Sequence, residues 1–113
     1  MPLVSARVTI VECIESDKEF AIAVFCEAIE AFLEGEVDVS LLLLRDLVSG
    51  SIGFGPLAIA TEISSKSLHR MLSAHGNPSM ENFSQIIQAL RGYLGIDLHI
   101  GHDVHRVECI EGG

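Results

Sequence analysis

Between residues 64 and 70 the sequence reads Ser-Ser-Lys-Ser-Leu-His-Arg, and this run holds the residues best suited to chemistry with a ligand. On a helix, Leu68 would turn inward with Met71 and Leu72, leaving Ser65, Lys66, Ser67, His69 and Arg70 outward. Lys66 and Arg70 stand four apart and carry the charge that phosphate oxygens accept. Ser65, Ser67 and His69 are short hydrogen-bonding groups that fit base edges. Ser64 belongs to the same set, with helix capping as its plainer role; Ser67 shares that alternative. Other chemistries are poorly supplied. No Ser/His/Asp set has a recognisable context, so an enzyme is not expected. His99, His102 and His105 are zinc-ligand types. Their three-residue spacing aligns only on a helix, which Gly101 interrupts, and no Cys-x-x-Cys or His-Glu-x-x-His frame accompanies them. Neither a metal nor a cofactor is expected. Cys26 reads as a small buried hydrophobe, and Cys13 and Cys109 lack the adjacent base of a reactive thiol.

A face of this kind needs a second helix to hold it. Two helices crossing closely need a small residue at the crossing, and Ala58 fills that place. Leu57, Thr61 and Ile63 supply one side of the contact; Leu68, Met71 and Leu72 supply the other. That is the layout of a helix-turn-helix at about 55–74, with Pro56 able to open its first helix. The second helix should start near Ser64 or Ser65 and run to about Ala74. His75-Gly76-Asn77-Pro78 is a turn. Ser79 caps a further helix to about Leu94, with Phe83, Ile86, Ile87, Leu90 and Leu94 as its buried stripe, and Gly95 ends it. Asp97–Ile100 alternates as a strand does, and the tail beyond about Arg106 reads as polar and loose.

Upstream, Arg7–Ile14 is rich in β-branched residues and reads as a short strand. Ser16 and Glu19 fit a capping box for a helix to about Leu33, stopped by Gly35. Its apolar positions are Phe20, Ala23, Val24, Ala28, Ile29 and Phe32. A second helix, capped by Asp38 or Ser40, offers Leu42, Leu43 and Leu47 as core and ends at Gly50. The glycine-bearing loop Ser49–Gly55 lacks the Lys-Ser/Thr of a phosphate-binding loop. Val11-Glu-Cys-Ile-Glu15 recurs as Val107-Glu-Cys-Ile-Glu111, one match and no repeat architecture.

From about Leu42 to Ile100 the chain resembles the lambda-repressor-like (XRE) helix-turn-helix group. It is most similar to the HigA-type antitoxins, or addiction-module antidote proteins. The resemblance is carried by Leu-Leu-Leu-Arg-Asp-Leu at 42–47, Leu57-Ala58, Ser64-Ser-Lys-Ser-Leu-His-Arg-Met-Leu72, Gly76-Asn-Pro-Ser79 and Gln88-Ala-Leu90. It implies a mainly α fold, a five-helix domain with short terminal β-strands. The divisions are an N-terminal strand and acidic helix at 1–37, the DNA-binding domain at 38–100, and a polar tail at 101–113. It implies a homodimer that binds a double-stranded operator, represses its own operon and neutralises a RelE-like toxin. Ser64, Ser65, Lys66, Ser67, His69 and Arg70 would make the DNA contacts. The sequence departs from the pattern at Glu62, where the turn commonly holds Gly; a left-handed backbone there costs about 1 kcal/mol. It also departs at Ile59 and Ala60, where charged residues are usual. A protein-interaction module on the same fold, without strong DNA binding, is the alternative.

Charge first argues against such a partner. The chain of 113 residues has a formal net charge of -9, and phosphate binding needs positive charge. The balance is uneven, however. The first 50 residues hold three basic residues against ten acidic, residues 51–95 hold three against two, and residues 96–113 hold one against four. Only the segment with the cationic face is not acidic. Glu27, Glu30, Glu34, Glu36 and Asp38 form an acidic flank that could meet a basic protein or simply remain solvated. The length allows one domain. The longest apolar run, Phe20–Cys26, is far short of the roughly 20 residues that span a bilayer. No signal-peptide layout opens the sequence, so a cytoplasmic protein is expected.

Overall fold

The computed structural model describes residues 9–101 and 106–111, with side chains described through Asp97. Six helices and one two-stranded sheet occur among these residues: α1 (Ile10–Ser16), α2 (Lys18–Leu33), α3 (Val37–Gly50), α4 (Phe54–Thr61), α5 (Ser65–Met71), α6 (Met80–Leu94), β1 (Ile96–Gly101) and β2 (Arg106–Glu111). The chain is mainly α, as its periodicities indicate.

The expected N-terminal strand is instead a helix. Thr9 opens α1 with a capping box: its hydroxyl accepts from the Glu12 N–H, and the Glu12 carboxylate accepts from the Thr9 N–H. Two reciprocal bonds at one helix start outweigh the β preference of Val11 and Ile14, which is a weak and context-dependent bias. Arg7 and Val8, where that strand was to begin, lie outside the described residues. The cap of α2 also differs. Asp17, not Ser16, accepts from the N–H groups of Glu19 and Phe20 at 3.0 and 3.3 Å. Ser16 ends α1, its hydroxyl donating to the Glu12 and Cys13 carbonyls. A carboxylate at the cap also opposes the positive helix end, so Asp17 is the stronger choice.

α2 and α3 form a helical hairpin through Glu34, Gly35 and Glu36, and Gly35 sits at φ 84. The buried stripe of α2 is Ala21, Val24, Phe25, Ala28 and Ile29, whereas Ala23 is exposed. Phe25, at 0% exposure, sets the phase of this face; Phe20 and Phe32 stay at its edge. Phe32 stacks on Phe83 of α6 with ring centroids 4.6 Å apart. In α3 the core positions are Leu41, Leu44, Leu47 and Val48. Leu42, expected inside, is exposed. Ser40 explains the rotation. It does not cap α3; it is fully buried and its hydroxyl donates to the Ala28 carbonyl of α2 at 2.8 Å. Ser40 thereby faces α2, and its neighbours at 41, 44 and 47 follow it inward. Glu36 occupies the cap position without a side-chain bond, and the Asp38 carboxylate accepts from the Val39 N–H.

The downstream elements follow the expected boundaries closely. α4 begins at Phe54, so Pro56 lies within its first turn, where a missing N–H leaves no bond unmade. α5 ends at Met71, short of Ala74, with Leu72 as its C-cap. Ser79 caps α6 by accepting from the Asn82 N–H at 3.0 Å. Ile86, Leu90 and Leu94 are buried along it. Gly95 ends α6 at φ 67 and donates to the Arg91 carbonyl, the left-handed stop for which glycine is the least costly residue. β1 then pairs antiparallel with β2, from Ile96 opposite Glu111 to Gly101 opposite Arg106. Arg106–Glu111 is therefore a strand rather than loose chain. Its partners lie 5 to 15 positions upstream, and nothing local to the tail marks it as their mate.

One apolar cluster runs from Ile14 to Ile96 and includes Phe25, Leu44, Leu57, Leu68 and Leu90. Each such fully buried side chain contributes roughly 1.5–3 kcal/mol relative to exposure. Among the described residues, no single helix is long and apolar enough to cross a membrane.

Candidate functional site

α4 and α5 are both short, and neither would persist alone in water. Their shared contact keeps them. Leu57 and Thr61 of α4 and Leu68 of α5 are buried, and Leu72 just beyond α5 is buried with them. Ala58, Ile63 and Met71 pack at the edge of this cluster. The Thr61 hydroxyl donates to the Leu57 carbonyl at 2.8 Å and accepts from the Ile63 N–H at 3.3 Å. It thus closes one helix and starts the turn. Glu62 then adopts φ 60 and ψ 29, the left-handed conformation. It is the one non-glycine residue with positive φ among those described. Ser64 opens α5 by accepting from the Ser67 N–H at 3.1 Å.

Burying Leu68 fixes which residues of α5 face out. Ser65, Lys66, His69 and Arg70 are exposed, and Ser67 is half-buried. Lys66 and Arg70 lie one turn apart, as do Ser65 and His69, so the four form one continuous face. Among the described residues no carboxylate pairs with Lys66 or Arg70. Both cations are available to an external anion. Ser64 and Ser67 differ from the other four. The Ser64 hydroxyl donates to the Ser67 Oγ at 2.9 Å, so these two side chains satisfy each other at the helix start. Their first role is structural.

His69 has a partner that the sequence reading missed. Its ring stacks on Phe54 with centroids 3.8 Å apart and planes 17° from parallel. One face of the imidazole is covered, and its polar edge remains open. Phe54 opens α4, where the sequence suggests only a loop; a lone aromatic in a glycine-bearing stretch carries no signal for such a contact. The rest of α4 is unlike a phosphate-binding surface. Ile59 is 81% exposed and Ala60 is exposed beside it. Behind the turn, an open groove of about 690 Å³ is lined by Glu62, Ile63, Glu81 and Gln85. Its two carboxylates make it unsuited to an anion.

The acidic flank is divided. Glu27, Glu30, Glu34 and Glu36 line a second groove between α2 and α3, while Asp38 lies outside it. His99 lies in β1 opposite Glu108 of β2, and His102 and His105 lie outside the described residues. Among the described residues no His, Cys, Asp and Glu side chains are grouped to hold a metal ion. Cys13 and Cys26 form no disulfide, and each is half-buried. No protein-family profile, curated protein or solved structure matches this chain.

Proposed function

We propose that α4, the turn at Glu62 and α5 form a helix-turn-helix of the lambda-repressor-like kind, and that the chain is a sequence-specific DNA-binding regulator. The observation that carries this reading is the face of α5. It presents two exposed cations one turn apart, flanked by Ser65 and an imidazole edge, in a chain whose charge is otherwise strongly negative. A recognition helix in the major groove uses such a face, with cations on phosphates and shorter polar groups on bases. Lys66 and Arg70 are the phosphate contacts in this account. Ser65 and His69 reach base edges, while Ser64 and Ser67 shape the helix start. A homodimer would set two copies of α5 about 34 Å apart, one turn of DNA.

The resemblance to HigA-type antitoxins extends the proposal to a protein partner. The chain would repress its own operon and neutralise a basic RelE-like toxin. Selection of duplexes from a random pool tests the DNA half. Enrichment of a palindromic site with half-sites one turn apart is expected, and an unenriched pool would contradict it. The toxin half predicts that a neighbouring reading frame encodes a small basic protein that co-purifies with this one.

One observation favours a second reading. The exposed Ile59 and Ala60 on α4 suit a protein surface better than a phosphate backbone. On that reading the two-helix unit is an interaction module without strong DNA affinity.

A further inference from the structure

The hairpin of α2 and α3 leaves an open groove on the surface, about 460 Å³ in volume. Its floor and one wall are apolar. Ala31 lies at the bottom, and Val39 and Leu43 rise along α3. Leu42 extends that wall outward, since residues three and four apart share a helix face. Val39 and Leu42 are 42% and 41% exposed, although most of the remaining aliphatic surface of α3 is buried. The opposite wall is Glu27 and Glu30 of α2 and Glu34 at its C-cap, spaced at three and four, and Glu36 also lines the groove. The buried Ser40–Ala28 hydrogen bond ties together the two helices that form the groove.

We infer that this groove docks a basic amphipathic helix from a partner protein. An apolar groove beside a helix pair is the receiving half of helix-in-groove recognition. Charge selects the occupant. A second copy of this chain presenting the same face would bring carboxylate against carboxylate, and like charges juxtaposed across an interface are strongly disfavoured. Nucleic acid is excluded for the same reason. A helix with Lys or Arg at i, i+3 or i+4, and i+7 matches the Glu27, Glu30 and Glu34 row, which spans about 10 Å at 1.5 Å per residue. Leucines on its adjoining face would cover Val39, Leu42 and Leu43. This assignment gives a surface to the protein-binding half of the proposed function, and it rests on that reading.

The test uses the full chain and a labelled synthetic peptide helix with Lys at i, i+4 and i+7 and Leu on the adjoining face. Fluorescence anisotropy should show saturable binding that weakens as salt rises. Charge reversal at Glu27, Glu30 and Glu34 (E27K, E30K, E34K) should weaken it at least tenfold, with helicity and melting temperature checked in parallel. Val39→Ser should weaken it severalfold while leaving every charge in place. Lys66→Ala with Arg70→Ala should leave it unchanged. Binding that survives the charge reversal would overturn the groove while leaving a basic partner standing. Binding that loses strength on charge reversal but ignores Val39→Ser would also overturn it, because a solvated acidic face attracts any polycation. No binding of the basic peptide would contradict both the groove and the basic partner.

Discussion

At the scale of single residues, the strained turn is where chemistry and stability meet. Glu62 holds a left-handed backbone that an L side chain adopts at a cost of about 1 kcal/mol. Glu62→Gly should therefore leave stability unchanged or raise it by up to about 1 kcal/mol, read as a higher urea midpoint with the same slope. A clear loss would show that the Glu62 side chain holds the turn by a contact of its own. The Ser64 cap makes the opposite prediction: Ser64→Ala should cost about 1 kcal/mol by freeing the Ser67 N–H. Residue-level features were legible where one residue has one dominant local role. Ser64, Ser79 and Gly95 fall where the sequence places them. The cap of α2 was read one position early because Ser16 and Asp17 are both good caps. The Thr9 cap draws Ser16 into α1, and the carboxylate of Asp17 then suits the start of α2 better.

At the scale of elements, the same five residues show how little local preference decides. Val-Glu-Cys-Ile-Glu is helical at 11–15 and strand at 107–111. Upstream, Thr9 and Asp17 bracket the segment with caps, and α1 packs against the end of α3. Downstream, the segment lies within pairing distance of β1, and the ladder takes it. Neither outcome is written in the pentapeptide. α1 depends on a close approach at Gly50. A Cβ there would come within 2.8 Å of the Val11 carbonyl oxygen and 2.9 Å of the Ile14 Cβ. Gly50→Ala should push α1 away and cost about 1–3 kcal/mol, with amide exchange accelerated first in α1. Unchanged protection at residues 10–16 would contradict that packing. The cores of α2 and α3 are legible at Val24, Ala28, Ile29 and Leu47, while Ala23 and Leu42 face outward for a related reason. Leu41, Leu42, Leu43 and Leu44 are consecutive, so periodicity cannot choose among them. The buried Ser40 bond makes the choice, and polar residues are not the ones a hydrophobic pattern follows.

At the scale of the whole molecule, the negative charge and the cationic face have separate places. The acids gather on α2 and the start of α3, and Lys66 and Arg70 stand on α5. This division was legible in the sequence by dividing the charge along the chain, and so was the outward face of α5. The Phe54–His69 stack was not, because it joins two elements whose relative placement comes from the burial of Leu57 and Leu68. The acidic excess should keep affinity for random DNA low at physiological salt, since non-specific binding is almost wholly electrostatic. Specific affinity would then come from the α5 face alone. The most direct test of that account is the salt dependence of binding to a selected duplex, measured for the unaltered chain and for Lys66→Ala with Arg70→Ala. The account predicts weaker binding and a slope shallower by about two log units per log unit of salt for each protomer. An unchanged slope would show that α5 does not face the phosphates.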